Sequence, residues 1–219
     1  MKYFPFSRKI LIVLIGVLIG VLIYFLYLKC VDIWTVAPWI VLGIMLIIFI
    51  FWDVRAEATF LADEQVRQAR ELIDKGQHLA AADCLKKALA CDPGNFEALV
   101  ARGELYRADR MYAEAKRELL KAYDINPQSF RVHFALGLTY LQQKEVLGAI
   151  SEFKQTIRLK PDFCESYYIL ASAYELSGDK SGALDSYRKF LDAVTSEDMK
   201  GGKIAEYVER SKVRVREMS

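Results

Sequence analysis

The sequence predicts an all-α solenoid of about four stacked helix pairs with a capping helix, preceded by a transmembrane helical hairpin. Three observations carry this. Pro93, Pro127 and Pro161 stand 34 residues apart. Other columns keep the same step: Ala81, Ala115, Ala149 and Ala183; Ala69, Gly103, Gly137 and Ala171; Leu85, Leu119, Phe153 and Tyr187. A period of this length, with small, large apolar and proline positions fixed, is what helix–turn–helix units produce when each buries its apolar stripe against the next. The third observation is compositional. Apolar residues make up 53% of the chain, and the excess over an ordinary globular domain is concentrated in the first fifty residues.

Taken in order, residues 1–9 are expected to be a short cytoplasmic N-terminus and residues 10–52 a membrane hairpin. The uncharged run 10–28 would cover about 28 Å as a helix, close to a hydrocarbon core of about 30 Å. A second run, 36–51, opens with Pro38 in a position suited to a helix first turn. Lys29, Asp32 and Trp34 form the polar connection. A cleaved signal peptide has a shorter apolar region and a small-residue cleavage site, and this stretch has neither. Lys2, Arg8 and Lys9 precede the first run and Arg55, Arg67 and Arg70 follow the second. The positive-inside rule then puts both termini and the solenoid on the cytoplasmic side, in what would be a bacterial inner (plasma) membrane. Gly16 and Gly20 form a GxxxG step that folding brings level with Gly43, so helix backbones can approach closely there. The three glycines serve either packing within the hairpin or docking of another membrane protein. Residues 53–61, with Ala and Glu and no Pro or Gly, read as a helical connector.

The four repeats are 62–95, 96–129, 130–163 and 164–197. Each divides at a polar turn: Lys75-Gly76-Gln77, Ala108-Asp109-Arg110, Gln142-Gln143-Lys144 and Ser177-Gly178-Asp179. Between repeats the proline stops one helix, and Asn95, Ser129 and Asp162 are placed to cap the next, Asp162 with Glu165 as a capping box. Gln65 and Gln68 replace apolar residues in the first repeat, as suits a terminal unit. After Gly201-Gly202, residues 203–217 form a last helix with Ile204, Tyr207, Val208 and Val215 largely on one face, placed to cap the open end.

The columns, the small–x–x–aromatic run in the first helix (Gly103 to Tyr106, Gly137 to Tyr140, Ala171 to Tyr174) and the closing proline resemble the tetratricopeptide repeat family over residues 62–197. In that family partner peptides lie along the inner surface formed by the first helix of each pair. The resemblance implies a binding face made of Val66, Arg70 and Ile73, then Val100, Glu104 and Arg107, then Phe134, Leu138 and Leu141, then Tyr168, Ser172 and Glu175. Some members hold a carboxylate with a basic and amide clamp. Arg131 stands at one clamp position, but Val66, Arg70, Ala101 and Ala135 stand at the others, which argues against a chaperone tail. A groove centred on Phe134 and Leu138 suits a peptide or short amphipathic helix. The alternative occupant of part of it is the chain's own last helix.

The totals narrow the function. With 30 basic and 28 acidic residues, net charge +2, the chain lacks the basic excess of a nucleic-acid binder. Cys30, Cys84, Cys91 and Cys164 show no CxxC spacing, and the two histidines, His78 and His133, are too few and too scattered for a structural metal. Gly178-Asp179-Lys180-Ser181 lacks the leading glycine and preceding strand of a phosphate loop. No catalytic constellation, cofactor or metal is expected. The expected function is a membrane-anchored scaffold or adaptor that binds a protein partner at the cytoplasmic surface of the membrane. The alternative is an accessory subunit or assembly factor of a larger integral membrane complex, with the hairpin as an interface to its other proteins and to lipid.

Overall fold

The computed structural model describes residues 33–196, 198–200 and 202–218, together with Gly16, Ile19 and Gly20, which are helical. The chain divides into two compact units, Met1–Leu61 and Ala62–Ser219. Among the described residues there are nine α-helices and no strand: α1 (Ile33–Asp74), α2 (His78–Cys91), α3 (Phe96–Ala108), α4 (Tyr112–Ile125), α5 (Phe130–Gln142), α6 (Val146–Leu159), α7 (Cys164–Ser177), α8 (Lys180–Ala193) and α9 (Gly202–Met218). A short 3-10 turn, Asp198–Lys200, precedes α9.

The first unit corrects the expectation of an integral inner-membrane protein with a cytoplasmic repeat domain. Among the described residues no helix is long and apolar enough to cross a membrane. Exposed apolar side chains of α1 include Val41, Met45, Phe49 and Trp52, and Val54 and Phe60 follow among Asp53, Arg55 and Glu57. The run 10–28, the connection at Lys29 and the N-terminal 1–9 lie outside the described residues, Gly16, Ile19 and Gly20 apart. A Cβ placed on Gly16 or Gly20 meets nothing within 4 Å among the described residues. Gly43 is half-buried on α1. Because no Pro or Gly interrupts residues 44–75, α1 continues without a break through 53–61 to Asp74.

In the second unit the end of α1 pairs in sequence with α2, and α3/α4, α5/α6 and α7/α8 form the next three pairs. The small columns set the close approach within a pair. A Cβ on Gly103 would lie 2.6 Å from Leu119 Cγ, and one on Gly137 would lie 2.7 Å from Phe153 Cε1. Leu85, Leu119 and Phe153 are wholly buried behind them. Burial of such side chains contributes about 1.5–3 kcal/mol each. Each first helix also packs on the second helix of the preceding pair, so the core runs on from repeat to repeat.

The turn inside each pair has one left-handed residue, and these again fall 34 apart: Gly76, Arg110, Lys144 and Gly178. Gly accepts that backbone freely, whereas Arg110 and Lys144 hold φ of 62° and 63° against the cost of a Cβ. Capping is less uniform than the sequence implies. Asn95 accepts the Ala98 N–H at 2.9 Å and donates to Asp63 of α1 at 2.9 Å. Asp179 caps α8 by accepting the Gly182 N–H at 2.9 Å. Ser129 stands at its N-cap without a side-chain bond. The Asp162–Glu165 capping box does not form, because α7 begins one residue later with Phe163 as its N-cap.

Candidate inner-face binding site

The sequence-derived site residues lie on the first helices α1, α3, α5 and α7, and the fold uses them differently. Val66 and Val100 are 4% and 0% exposed and belong to the core. They are helix–helix packing residues, and a partner cannot reach them. Phe134 is half-buried, its ring edge-on to Phe153 and Phe163 at 5.8 and 4.9 Å. Leu138 and Leu141 are half-buried beside it in the same cluster. These three form the apolar floor of the accessible face.

The charged residues divide into a paired set and an unpaired set. Arg131 Nη1 donates to both Glu97 oxygens, at 2.8 and 3.0 Å, and Arg70 hydrogen-bonds the same carboxylate from the other side. Burial pushes the Glu97 carboxyl up, but Arg131 and Arg70 outweigh it and hold it below the ordinary carboxylate range. Arg131 is thereby committed inside the protein, which removes the one residue that matched a carboxylate clamp. Glu104 and Arg107 follow on α3. Burial raises the Glu104 carboxyl, and the charges of Arg131, Arg107 and Arg70, which reach it only through space, do not offset that. Arg107 Nε is shut from solvent without a hydrogen-bond partner.

At the last repeat the chain itself supplies the neighbour. α9 packs on α8 and touches α7, where the first helix of a fifth repeat would stand. Lys203 Nζ donates to Glu165 at 2.6 Å and Arg214 Nη2 to Glu175 at 2.6 Å. The Tyr207 ring stacks on Tyr168 at 3.9 Å, leaving Tyr168 8% exposed. Tyr168 and Glu175 are therefore occupied from within. The first helices that α9 leaves uncovered are α1, α3 and α5. Sequence reasoning missed Glu97 and the charged α9 partners Lys203 and Arg214; it placed Tyr207 on the capping face without giving its Tyr168 partner. A signal existed for Glu97: the column Asp63, Glu97, Arg131, Glu165 changes sign at Arg131, and a 34-residue step puts neighbours in that column side by side.

Among the described residues no cluster of His, Cys, Asp or Glu could hold a metal ion. Cys84, Cys91 and Cys164 are free thiols, and burial raises the Cys164 thiol, which lowers its reactivity.

These features define a helix-pair solenoid with a partly polar inner face. Two models described as tetratricopeptide repeat match the chain, one over residues 84–117 and one over 112–163 and 134–198. Together they cover more than half of it, and the chain belongs to the tetratricopeptide repeat family. Superkiller complex protein 3 of Mus musculus is 29% identical over 140 residues, which is 62% of this chain and 8% of the relative. The chain spans less than a fifth of the length of the curated relatives it matches. MamA from Desulfovibrio magneticus RS-1 superposes with a TM-score of 0.56 at 19% identity, covering 60% of this chain and 75% of MamA. The first repeat domain of Spaghetti (RPAP3), bound to the HSP90 peptide SRMEEVD, gives 0.53 at 18% identity over 55% of this chain and 95% of that domain. At these identities the structures show the fold alone.

Proposed function

We propose that this protein is a scaffold that holds a protein segment against the inner face of α1, α3 and α5, without covalent chemistry of its own. The observation that carries this is the contrast along that face. The fourth repeat is covered by α9, while the first three leave Phe134, Leu138 and Leu141 partly open beside the unpaired Glu104 and Arg107. Glu104 and Arg107 are half-buried, so polar atoms stay within reach of a segment that lies on the apolar floor. The relatives support a protein ligand: the RPAP3 repeat domain is bound to a peptide, and Superkiller complex protein 3 is named as part of a complex. The occupant that suits a half-buried apolar floor with a polar margin is a peptide or short amphipathic helix.

The test is capture of co-purifying protein by the tagged chain and by a double variant, Arg107→Glu with Phe134→Ala, whose helicity and melting are checked first. Loss of capture by a folded double variant is expected. Unchanged capture would remove the inner face as the docking site.

A further inference from the structure

The charged residues of the inner face leave a remainder. Arg70, Glu97 and Arg131 satisfy one another. Glu104 makes no hydrogen bond or ion pair with any described residue, and neither does the side chain of Arg107. The two are three apart on α3, so they emerge on one face of the helix as neighbours. Arg131 acts on Glu104 through space, and Arg131 shares α5 with Phe134, Leu138 and Leu141. An acceptor and a donor thus lie on one face of α3, one 34-residue step before Leu138 and Leu141 on the neighbouring α5, and neither bonds a described residue.

We propose that Glu104 and Arg107 form a subsite for a carboxamide, the side chain of an Asn or Gln in the docked segment. The amide N–H donates to the Glu104 carboxylate and the amide C=O accepts from the Arg107 guanidinium. An apolar residue close by in the same segment sits on Phe134, Leu138 and Leu141. This rests on the reading of the inner face as a docking surface. Charged alternatives fit worse. An acidic side chain that reached Arg107 would face Glu104 and Glu97, and a basic one that reached Glu104 would meet Arg70, Arg107 and Arg131. Only a neutral group with both a donor and an acceptor answers both residues without a like-charge contact. A polar subsite rejects a ligand that cannot pair with it, because its own groups then stay unsatisfied.

The experiment selects random 12-residue peptides on the full chain, then measures Kd for an enriched peptide and for its Ala, Glu and Lys replacements at each Asn or Gln. The subsite predicts enrichment of Asn or Gln near an apolar residue, and weakening of about tenfold or more on each replacement. Glu104→Ala with Arg107→Ala, verified as folded, should bind the Gln and Ala peptides within about twofold of each other. Enriched peptides with no Asn or Gln preference, or a preference that survives the double variant, overturn the subsite and leave the docking face standing. No enriched peptide at all overturns both.

Discussion

At His133 the fold holds a proton in place. Nδ1 lies 2.7 Å from Glu152 of α6 and Nε2 lies 3.1 Å from the Pro127 carbonyl. Both neighbours only accept when the carboxylate is ionised, so the imidazolium, with both ring nitrogens donating, is the form that satisfies both contacts. The Glu152 hydrogen bond raises the His133 pKa above its ordinary value, outweighing burial. A raised folded-state pKa stabilises fully below the unfolded value of about 6.5 and loses that contribution as pH rises through the folded value. Relative to a His133→Gln variant, the wild-type melting advantage should therefore be larger at pH 6 than at pH 9, by an amount of order 1 kcal/mol. A difference independent of pH would show that folding leaves the His133 pKa unshifted, and a larger advantage at pH 9 would show that the fold favours the neutral ring. The glycine column gives a second residue-level test. Gly137→Ala drives a methyl into Phe153, and overpacking of this kind costs about 1–3 kcal/mol, readable as a lower urea midpoint at unchanged slope. The columns made Gly137 legible in the sequence. Val66 and Val100 misled because the family's inner-surface positions are also where adjacent first helices close together, and a small apolar side chain there sinks into the joint.

At the scale of the element, the intra-pair turn is the place where sequence and backbone disagree. The period puts a left-handed residue at Gly76, Arg110, Lys144 and Gly178, and only two of the four are glycine. Arg110→Gly and Lys144→Gly should each stabilise the protein, because a Cβ in left-handed backbone costs about 1 kcal/mol. Part of that gain is offset by the greater freedom of glycine in the unfolded chain. Thermal melting of the single variants decides it, and a fall in Tm for both would contradict the strain argument. The last helix was legible as a cap from its apolar residues, but its charged anchors were not, since their spacing of 38 and 39 residues breaks the repeat. Lys203–Glu165 and Arg214–Glu175 are solvent-exposed on the basic side, and such pairs contribute about 0–1 kcal/mol. The Tyr207–Tyr168 stack contributes about 0.5–1.5 kcal/mol beyond its buried area. Tyr207→Ala should thus lower the denaturation midpoint clearly more than Arg214→Ala does. The reverse order would mean that charge holds α9 in place.

Taken whole, the repeat unit was readable because its core is periodic: each pair buries its stripe only against the next, so the same residue types return at the same step. The first unit was not, because hydropathy measures how much a segment avoids water and says nothing of what covers it. Among the described residues no helix is long and apolar enough to cross a membrane. The site was half legible. The face could be located from the family pattern, whereas which of its charges are spent internally depends on distances between repeats that one column cannot give. The account stands on a segment of another protein lying on the inner face, over α5. A photoreactive amino acid at Leu141, compared with one at Leu120 on the outward side of α4 (41% exposed), tests this most directly. The account predicts a discrete crosslinked partner from position 141 and none from position 120. The same adduct from position 120 and none from 141 would contradict it.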